Sequence, residues 1–429
     1  MTFKIVTLGC KLNSCESAAI AEGFIADGFE RVSDGESADV YIINSCAVTG
    51  TAVAKVRHEL SRCRRENPDG VLVLCGCYPQ SYSEEAALNS GADIVIGNAG
   101  KGRLAETVRM FMRDRVKTVK ITPLSREFDE SASVPDEDRT RAFIKIEDGC
   151  DRFCSYCIIP TARGRVRSLA PEKITAQAVQ CVRHGHREIV LTGINLGCYG
   201  QELGLTLSDA VKAVERSGVE RIRLSSLEPE MLTDEEIEKL REVGTLCPHF
   251  HLSLQSGSDT VLKRMSRKYN TEQYRHVADK LRETFPNCSI TTDIIVGFPE
   301  ETEEELLQTV DFVKEIGFAK VHVFPYSRRN GTVAALMKQI PPSVRTDRVK
   351  TLTAAAKETE LKFCDKQRGT LQTVLIEKPQ SAQYSHGFTE NYTPVRLYGT
   401  EFERHTLVRA ELFASRDGYC LGRVFGEPL

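Results

Sequence analysis

Three cysteines lie close together near the middle of the sequence, in the stretch GCDRFCSYC. Cys150, Cys154 and Cys157 are spaced by three and then by two residues, and they follow the strand-like run RAFIKIED. Thiolates bind soft metals such as zinc or the iron of iron–sulfur clusters. Zinc normally needs a fourth Cys or His, and the nearest candidates that follow, Cys181 and His184, fall on a predicted helix. The pattern favours a [4Fe-4S] cluster with one iron left for a small molecule; a zinc site and three unrelated thiols are the alternatives.

Three more cysteines come from separate parts of the N-terminal region. Cys10 follows the strand-like run FKIVTL, Cys46 follows DVYII, and Cys77 follows VLVLC. The carboxyl ends of parallel strands meet at one edge of an open α/β sheet, so these thiols are expected to lie together. A single cysteine is more often a buried apolar residue, but three such positions favour a second cluster. Cys75, inside the third run, is the rival to Cys77.

The elements that must position these thiols fall into three predicted domains joined by one linker. Residues 1–124 alternate buried strand-like runs with helical patterns, which predicts an open parallel α/β sheet. The acid-rich stretch 125–138 is predicted to be a linker. Residues 139–368 predict a partial (βα)6 barrel, and 369–429 contain strands without helices, which predicts a small β barrel. The six barrel strands are predicted at 143–147, 188–192, 221–225, 250–254, 290–296 and 320–324.

Composition narrows the class of protein. The chain has 429 residues, of which 41% are hydrophobic and 27% charged, an ordinary soluble mixture. It has no long apolar run and no signal-peptide pattern, so we expect a cytoplasmic protein without a membrane partner. In that reducing compartment the fifteen cysteines are expected to be buried thiols and metal ligands rather than disulfides.

A nucleic acid partner would have to bind at local basic patches, because the net charge is only −3. Two stretches collect cations: KVRHELSRCRR at 55–65 and TARGRVRS at 161–168. Either could contact phosphates. Either could equally be a solvated charged face.

Four stretches carry a resemblance to a known family. GCDRFCSYCIIPTARG resembles the radical S-adenosylmethionine (SAM) signature, and HLSLQSGSDTVLKRMSRKY, DIIVGFPEETEEE and VHVFPYSRRNGT add a resemblance to the methylthiotransferases over essentially the whole chain. The resemblance implies that the cluster at Cys150, Cys154 and Cys157 binds SAM, and that electron transfer yields a 5'-deoxyadenosyl radical. The sequence differs from the family at Glu300, where the family usually has glycine. The loop at this position could therefore form a different turn.

The resemblance also assigns the N-terminal thiols. It implies that Cys10, Cys46 and Cys77 hold an auxiliary [4Fe-4S] cluster where the transferred sulfur resides, and the glycine–cysteine pair before YPQ selects Cys77. The loop LTGINLGCYG is where the family contacts SAM, although ordinary turn capping explains it equally well. Polar residues at the carboxyl ends of the later strands are expected to face the same opening of the predicted barrel. The predicted cofactor-binding residues are Thr192, Gly193, Asn195, Ser225, Glu228 and Gln255.

The last part of the chain resembles a TRAM domain, an RNA-binding module of tRNA-modifying enzymes. Phe388 and Tyr392 are predicted to stack on exposed bases, with a role in the barrel core as the alternative. Arg328 and Arg329 follow the sixth barrel strand and are predicted to meet a substrate carboxylate, with a solvated loop as the alternative.

These features together predict a tRNA methylthiotransferase that uses two SAM molecules per turnover. It is most like the branch acting on N6-threonylcarbamoyladenosine next to the anticodon, so its partner is the tRNA anticodon loop. The isopentenyladenosine enzymes and the branch that modifies a ribosomal-protein aspartate are the nearby alternatives, and a two-cluster electron carrier is the alternative of another class. A flavodoxin- or ferredoxin-like electron donor and a monomeric state are also expected.

Overall fold

The computed structural model describes residues 1–33, 35–129, 139–381, 384–398 and 402–426. Of the predicted linker at 125–138, residues 130–138 therefore lie outside the described part. No helix in the described ranges combines the length and apolar character needed to cross a bilayer.

The N-terminal part is a parallel sheet covered by helices on both faces. Its strands are β1 (Thr2–Thr7), β2 (Glu30–Arg31), β3 (Val40–Ser45), β4 (Val71–Gly76), β5 (Ile94–Ile96) and β6 (Thr118–Lys120), in the order β2-β1-β3-β4-β5-β6. Its helices are α1 (Lys11–Ala26), α2 (Gly50–Glu66), α3 (Cys77–Ser81), α4 (Ser83–Asn89) and α5 (Leu104–Asp114). Phe24 of α1 and Phe111 of α5 pack on one face, and Val56 of α2 packs on the other. Every residue of β3 and β4 is buried, as expected for a sheet covered on both sides.

The central part is the partial barrel that the sequence predicts, and the prediction is confirmed. Its strands are β7 (Ala142–Lys145), β8 (Glu147–Asp148), β9 (Arg167–Ser168), β10 (Glu188–Thr192), β11 (Arg221–Leu224), β12 (Ser226–Leu227), β13 (His249–Leu252), β14 (Ser289–Val296) and β15 (Lys320–Pro325). Its helices are α6 (Ile159–Arg163), α7 (Pro171–Arg183), α8 (Leu207–Glu215), α9 (Asp234–Arg241), α10 (Asp259–Arg264), α11 (Thr271–Thr284), α12 (Glu303–Ile316) and α13 (Pro342–Lys366). The parallel series β7-β10-β11 continues through Ser225 into β12-β13-β14-β15. A short antiparallel pair, β8 with β9, lies beside the first strand.

Four of the barrel helices, α6, α8, α10 and α13, lie outside the helical patterns that the sequence shows near 171–184, 233–243, 271–284 and 302–316. Helix α13 is the longest of them at 25 residues. It contacts β15, α12 and the C-terminal strand β19 (Leu407–Arg416) at once. Its apolar residues therefore face several directions and form no single stripe for a helical period to reveal.

The C-terminal part is a small closed β barrel, as predicted. Its strands are β16 (Thr370–Ser381), β17 (Tyr384–Thr389), β18 (Pro394–Tyr398), β19 and β20 (Tyr419–Val424), closed in the order β16-β17-β18-β20-β19. Val374, Val395 and Val408 lie in its core. Closure leaves no strand edge free to pair with another chain.

The three parts meet at opposite ends of the partial barrel. Helix α1 contacts β7, and α3 contacts α6, so the N-terminal sheet adjoins the carboxyl ends of the first barrel strands. The C-terminal barrel lies at the amino ends instead. There Arg221, the first residue of β11, donates a hydrogen bond to the carbonyl of Thr373 at 2.5 Å.

Candidate active site

The three central thiols, Cys150, Cys154 and Cys157, lie on the loop between β8 and α6. The loop is fixed by backbone hydrogen bonds, including Cys150 N to Gly164 O at 3.0 Å and Cys157 N to Cys154 O at 2.9 Å. Gly149 precedes them with φ +90°, and a Cβ there would come 2.0 Å from the carbonyl oxygen of Arg165. Only glycine fits at this position.

The central thiols are half-buried or buried. Burial raises the pKa of Cys150 to about 11 and that of Cys157 to about 12. Such thiols stay protonated at neutral pH unless a metal displaces the proton, because the thiolate is the metal ligand. Arg267 Nη1 donates to Cys154 Sγ at 3.2 Å, and its other terminal nitrogen pairs with Glu228.

The donor set of this loop fits a four-iron cluster better than a single ion. Among the described residues, no three His, Cys, Asp or Glu side chains converge tightly enough to hold one metal ion. In a four-iron cube each thiolate binds a different iron, so its ligands stand further apart than those of one zinc ion. Three thiols on one loop can each bind a different iron of such a cluster.

Polar groups without partners surround the end of β10, beside the central thiols. Thr192 Oγ1, Asn195 Oδ1, Asn195 Nδ2 and Glu147 Oε1 are all buried and have no hydrogen-bond partner in the described part of the chain. The other oxygen of Glu147 accepts from the backbone N–H of Asn195 at 2.7 Å. A Cβ on Gly193 would come 2.6 Å from that same oxygen. Unsatisfied buried groups are costly, so this cluster fits a polar ligand.

The remaining predicted cofactor-binding residues, Ser225, Glu228 and Gln255, lie in three different surroundings. Ser225 Oγ accepts from the backbone N–H of Gly193 at 3.4 Å, so it joins the group at β10. Glu228 is beside the central thiols through its pair with Arg267. Gln255 has φ +68°, and its backbone N–H and carbonyl bond to β14 at 2.9 Å each.

The N-terminal thiols, Cys10, Cys46 and Cys77, follow β1, β3 and β4 at one edge of the sheet. A Cβ on Gly9 would come 2.8 Å from Cys46 Cβ, which shows how closely the first two turns approach. Burial raises the pKa of Cys46 to about 11, and the neighbouring thiols of Cys77 and Cys10 add to the rise. The rival Cys75 is fully buried in the apolar cluster beneath α1 and α5.

A buried ionic network lies between the two sets of thiols. Arg163 Nη1 is 2.8 Å from Glu16 Oε1 and 3.1 Å from Asp148 Oδ1, and Lys145 Nζ is 3.0 Å from Glu16 Oε1. Arg163 also donates to Asn13 Oδ1 at 2.6 Å, in the first turn after Cys10. Lys101 and Arg167 pair with the same two carboxylates, so four cations face two carboxylates, a surplus that suits an anionic cluster.

This network corrects the interpretation of the basic stretch at 161–168. Arg163 is 1% exposed and Arg167 is 8% exposed, and both are ion-paired. These two arginines therefore match neither interpretation of the stretch, because they lie inside the protein and are already paired with carboxylates. Arg165 of the same stretch is exposed and pairs with Asp151.

A cavity of about 830 Å³ runs through the partial barrel. At its upper end it is lined by Cys10, Lys11, Thr192 and Gly193. The inward-facing residues of the strands, including His249, His251, Asp293 and His322, form its wall. The C-terminal barrel contributes Phe388, Asn391 and Tyr392 to its floor. Its volume lies in the range of small-molecule sites.

Phe388 and Tyr392 face this cavity rather than the outer surface of the C-terminal barrel. Their rings stack on each other with centroids 4.6 Å apart, and the guanidinium of Arg223 lies 4.6 Å from the Tyr392 ring. Among the outward-facing rings of the same barrel are Tyr398, 51% exposed, and Phe413, 43% exposed. Sequence alternation could have marked Phe413 as outward-facing, since its neighbour Leu412 is fully buried.

Arg328 and Arg329 do not line the cavity. Arg328 is exposed, and Arg329 Nη2 donates to Ser327 Oγ at 2.9 Å. The same hydroxyl accepts from the backbone N–H of Gly50 at 2.9 Å. The loop after β15 therefore contacts the start of α2, close to the turn that carries Cys46.

Sequence reasoning missed Glu147, Arg267 and Lys11. Arg267 lies in the stretch HLSLQSGSDTVLKRMSRKY, but its position in the sequence gives no sign that it contacts Cys154. Glu147 falls at the end of the first predicted barrel strand, and a carboxylate at that position was the available signal. Lys11 directly follows a predicted cluster ligand, and that position was the signal for it.

Comparison with known proteins gives consistent results. Residues 144–313 match the Radical SAM superfamily, and 2–97 match the Uncharacterized protein family UPF0004. The chain is 39% identical to the threonylcarbamoyladenosine tRNA methylthiotransferase MtaB of Bacillus subtilis, over 97% of this chain and 95% of that protein. The MtaB of Thermotoga maritima is 38% identical over 96% of this chain and 94% of its own length.

Two further comparisons are more distant. The tRNA-2-methylthio-N(6)-dimethylallyladenosine synthase of Bacillus subtilis is 33% identical over 100% of this chain and 86% of that protein. Among solved structures, the radical SAM methyltransferase TsrM from Kitasatospora setae has a TM-score of 0.58 at 13% identity, over 78% of this chain and 77% of that chain. That likeness concerns the fold alone.

Proposed function

Because the chain belongs to the methylthiotransferase family of radical SAM enzymes, we propose that it installs a methylthio group at C2 of N6-threonylcarbamoyladenosine in tRNA. The observation that carries the proposal is the barrel cavity, whose upper end is lined both by Cys10 and by the polar residues that follow β10. Sulfur carried at the N-terminal thiols and SAM held beside the central thiols would thus meet one substrate in one cavity.

Membership of the radical SAM family implies SAM and a [4Fe-4S] cluster. We place the cluster on the central thiols, where it supplies the electron that cleaves SAM. The buried unpartnered atoms of Thr192, Asn195 and Glu147 support a polar ligand at the end of β10, and we assign them to SAM. Their burial excludes water from the reacting atoms and fixes the ligand's orientation. Arg267 would hold Glu228 and donate to Cys154 on the other side.

We propose that the N-terminal thiols hold a second [4Fe-4S] cluster, which would carry the sulfur that another SAM molecule methylates. Three arguments support it: the thiols follow three adjacent parallel strands, Cys77 and Cys10 are close enough to Cys46 to raise its pKa, and a surplus of buried cations lies beside them. Three ligands for four irons leave one iron for the sulfur.

The substrate base must leave the stack of its loop to reach this cavity. C2 of adenine lies on the base edge, and RNA-modifying sites read bases that have been unstacked. We propose that the anticodon loop presents the modified adenosine to the barrel mouth. The exposed rings of the C-terminal barrel, Tyr398 and Phe413, are suitable for stacking with other exposed bases.

The isopentenyl nucleoside is the second candidate, because the dimethylallyladenosine synthases are also relatives. The higher identity to the MtaB proteins favours the threonylcarbamoyl nucleoside. Histidines, Asp293 and Lys11 line the cavity together with apolar side chains such as Leu224, Phe324 and Phe363, and Lys11 supplies a cation for the threonylcarbamoyl carboxylate.

Mass spectrometry of tRNA nucleosides from a strain that lacks this chain tests the substrate. We expect the 2-methylthio form of N6-threonylcarbamoyladenosine to disappear and its unthiolated precursor to accumulate. Loss of the methylthio mark from isopentenyladenosine instead would overturn the substrate assignment. A strain expressing the Cys150→Ala variant serves as the control that the loss comes from chemistry at the central thiols.

A further inference from the structure

Lys11 occupies a distinctive place between the N-terminal sheet and the barrel cavity. It is the first residue of α1 and directly follows Cys10. Helix α1 packs against β7, and the ammonium of Lys11 lies 6.0 Å from the ring centroid of Phe143 in that strand. Its side chain therefore lines the cavity from the side of the N-terminal thiols.

The charge of Lys11 is not neutralised by the protein. Two other charged groups of the cavity wall have partners: Lys320 Nζ is 2.6 Å from Glu360 Oε1, and Asp293 Oδ1 is 3.5 Å from His251 Nε2. Lys11 makes no ion pair or hydrogen bond with any residue in the described part of the chain. Its side chain is exposed and lines the cavity, so its ammonium group is accessible to an anion that enters there. Such an anion would supply the counter-charge and the hydrogen-bond acceptor that Lys11 lacks.

We propose that Lys11 binds the carboxylate of the substrate's N6 side chain and so determines which modified adenosine is accepted. The inference rests on the proposed function and names the group that recognises its substrate. N6 and C2 lie on the same edge of adenine with only N1 between their carbons, so a base whose C2 faces the N-terminal thiols presents its N6 substituent to the same region. Lys11 is adjacent in the chain to one of those thiols. An isopentenyl group would leave its charge unpaired.

The test measures the affinity of anticodon stem-loops, under anaerobic conditions and with SAM present, by fluorescence anisotropy. Three loops carry N6-threonylcarbamoyladenosine, isopentenyladenosine or adenosine at the same position. Lys11→Met should weaken binding of the threonylcarbamoyl loop about tenfold to a hundredfold, the value of a charge-assisted hydrogen bond. Binding of the adenosine loop should change less than about twofold. Lys11→Arg, which keeps the cation, should retain most of the preference.

Lys320→Met is the matched control, because it removes a lysine from the same cavity whose charge is already neutralised by Glu360. It should leave the preference for the threonylcarbamoyl loop unchanged. The inference is overturned if Lys11→Met keeps that preference, or if it weakens SAM binding instead, which would assign Lys11 to the carboxylate of SAM. If the wild type itself shows no preference for the threonylcarbamoyl loop, the proposed substrate fails independently of Lys11.

Discussion

Glu300 adopts a left-handed backbone conformation, with φ +64°, in the turn between β14 and α12. The family that the sequence resembles usually has glycine at this position, which leaves room for a different turn. The turn in the structure is one that suits glycine. For a residue with a Cβ this conformation costs about 1–2 kcal/mol, so Glu300 changes the energy of the turn rather than requiring a new shape.

Glu300→Gly should therefore stabilise the protein by about 1 kcal/mol. The gain is less than the whole steric cost, because glycine also adds entropy to the unfolded chain. Urea denaturation of the wild type and the variant measures the difference. Glu304→Gly, four residues further along in the exposed first turn of α12, is the control and should destabilise by about 1 kcal/mol. Equal stabilities for wild type and Glu300→Gly would show that the turn carries no strain.

For single residues, the sequence predicts a role where the residue type alone indicates the chemistry. It does not predict a role that depends on which other residue lies nearby in the fold. Cysteines in a dense pattern identify themselves as ligands. Arg267 and Arg163 look like surface arginines in the sequence, and only the fold brings one to Cys154 and buries the other against Glu16. Tyr392 was recognised as an aromatic that could stack, but the docking of the C-terminal barrel directs it into the cavity.

At the scale of elements, the positions of both thiol sets followed from strand order. Parallel strands end at a common edge, so three strand-end cysteines had to approach each other once the sheet formed. The same argument places the loop at 149–157 on the carboxyl side of the barrel. It gives no side-chain orientation, which is why the burial of Thr192 and Asn195 without partners could not be predicted.

The two proposed clusters predict a definite iron content. Anaerobic reconstitution should yield about eight irons per chain. Replacement of all three central thiols by alanine should leave about four and abolish SAM cleavage, and replacement of all three N-terminal thiols should leave about four with SAM cleavage retained. The control replaces Cys63, Cys181 and Cys288, which are buried away from both sets, and should keep about eight. Full iron content after loss of the N-terminal thiols would refute the second cluster.

At the scale of the whole molecule, three arginines connect the barrel to the C-terminal part. Glu188 at the start of β10 lies 2.6 Å from Arg141 and 2.7 Å from Arg223, and Arg221 is 3.7 Å away. Burial alone would raise the pKa of Glu188, but the guanidiniums of Arg223 and Arg141 hold it well below its usual range. The run RIRLS at 221–225 predicts a strand. The alternation of polar and apolar residues in it does not reveal that Arg221 and Arg223 contact the C-terminal barrel.

Glu188→Gln should destabilise the protein by about 3–5 kcal/mol at pH 7, because it leaves buried guanidiniums without their carboxylate. A carboxyl with a depressed folded pKa stabilises above its unfolded pKa, about 4.3, and loses that contribution as the pH falls further. The deficit of the variant should thus be equal at pH 7 and 5.5 and shrink below about 4.3.

Thermal unfolding of wild type and variant across this range makes the comparison. Glu220→Gln breaks the more exposed pair with Arg187 at the same end of the barrel and should cost less than about 1 kcal/mol. A Glu188→Gln variant as stable as this control would show that the buried carboxylate contributes nothing.

The atoms that receive these arginines give the C-terminal barrel an unusual freedom to evolve. Arg221 donates to the carbonyls of Thr373 and Phe388, and Arg223 donates to the carbonyl of Glu390. All three acceptors belong to the main chain, which every amino acid possesses. These bonds therefore follow the path of the backbone, whereas Arg141 pairs with the side chain of Glu377 and Arg223 lies over the ring of Tyr392. A chimaera with a foreign barrel of the same loop lengths that keeps Glu377 and Tyr392 should dock as well, so the outer face can diverge to suit a new RNA without weakening the attachment.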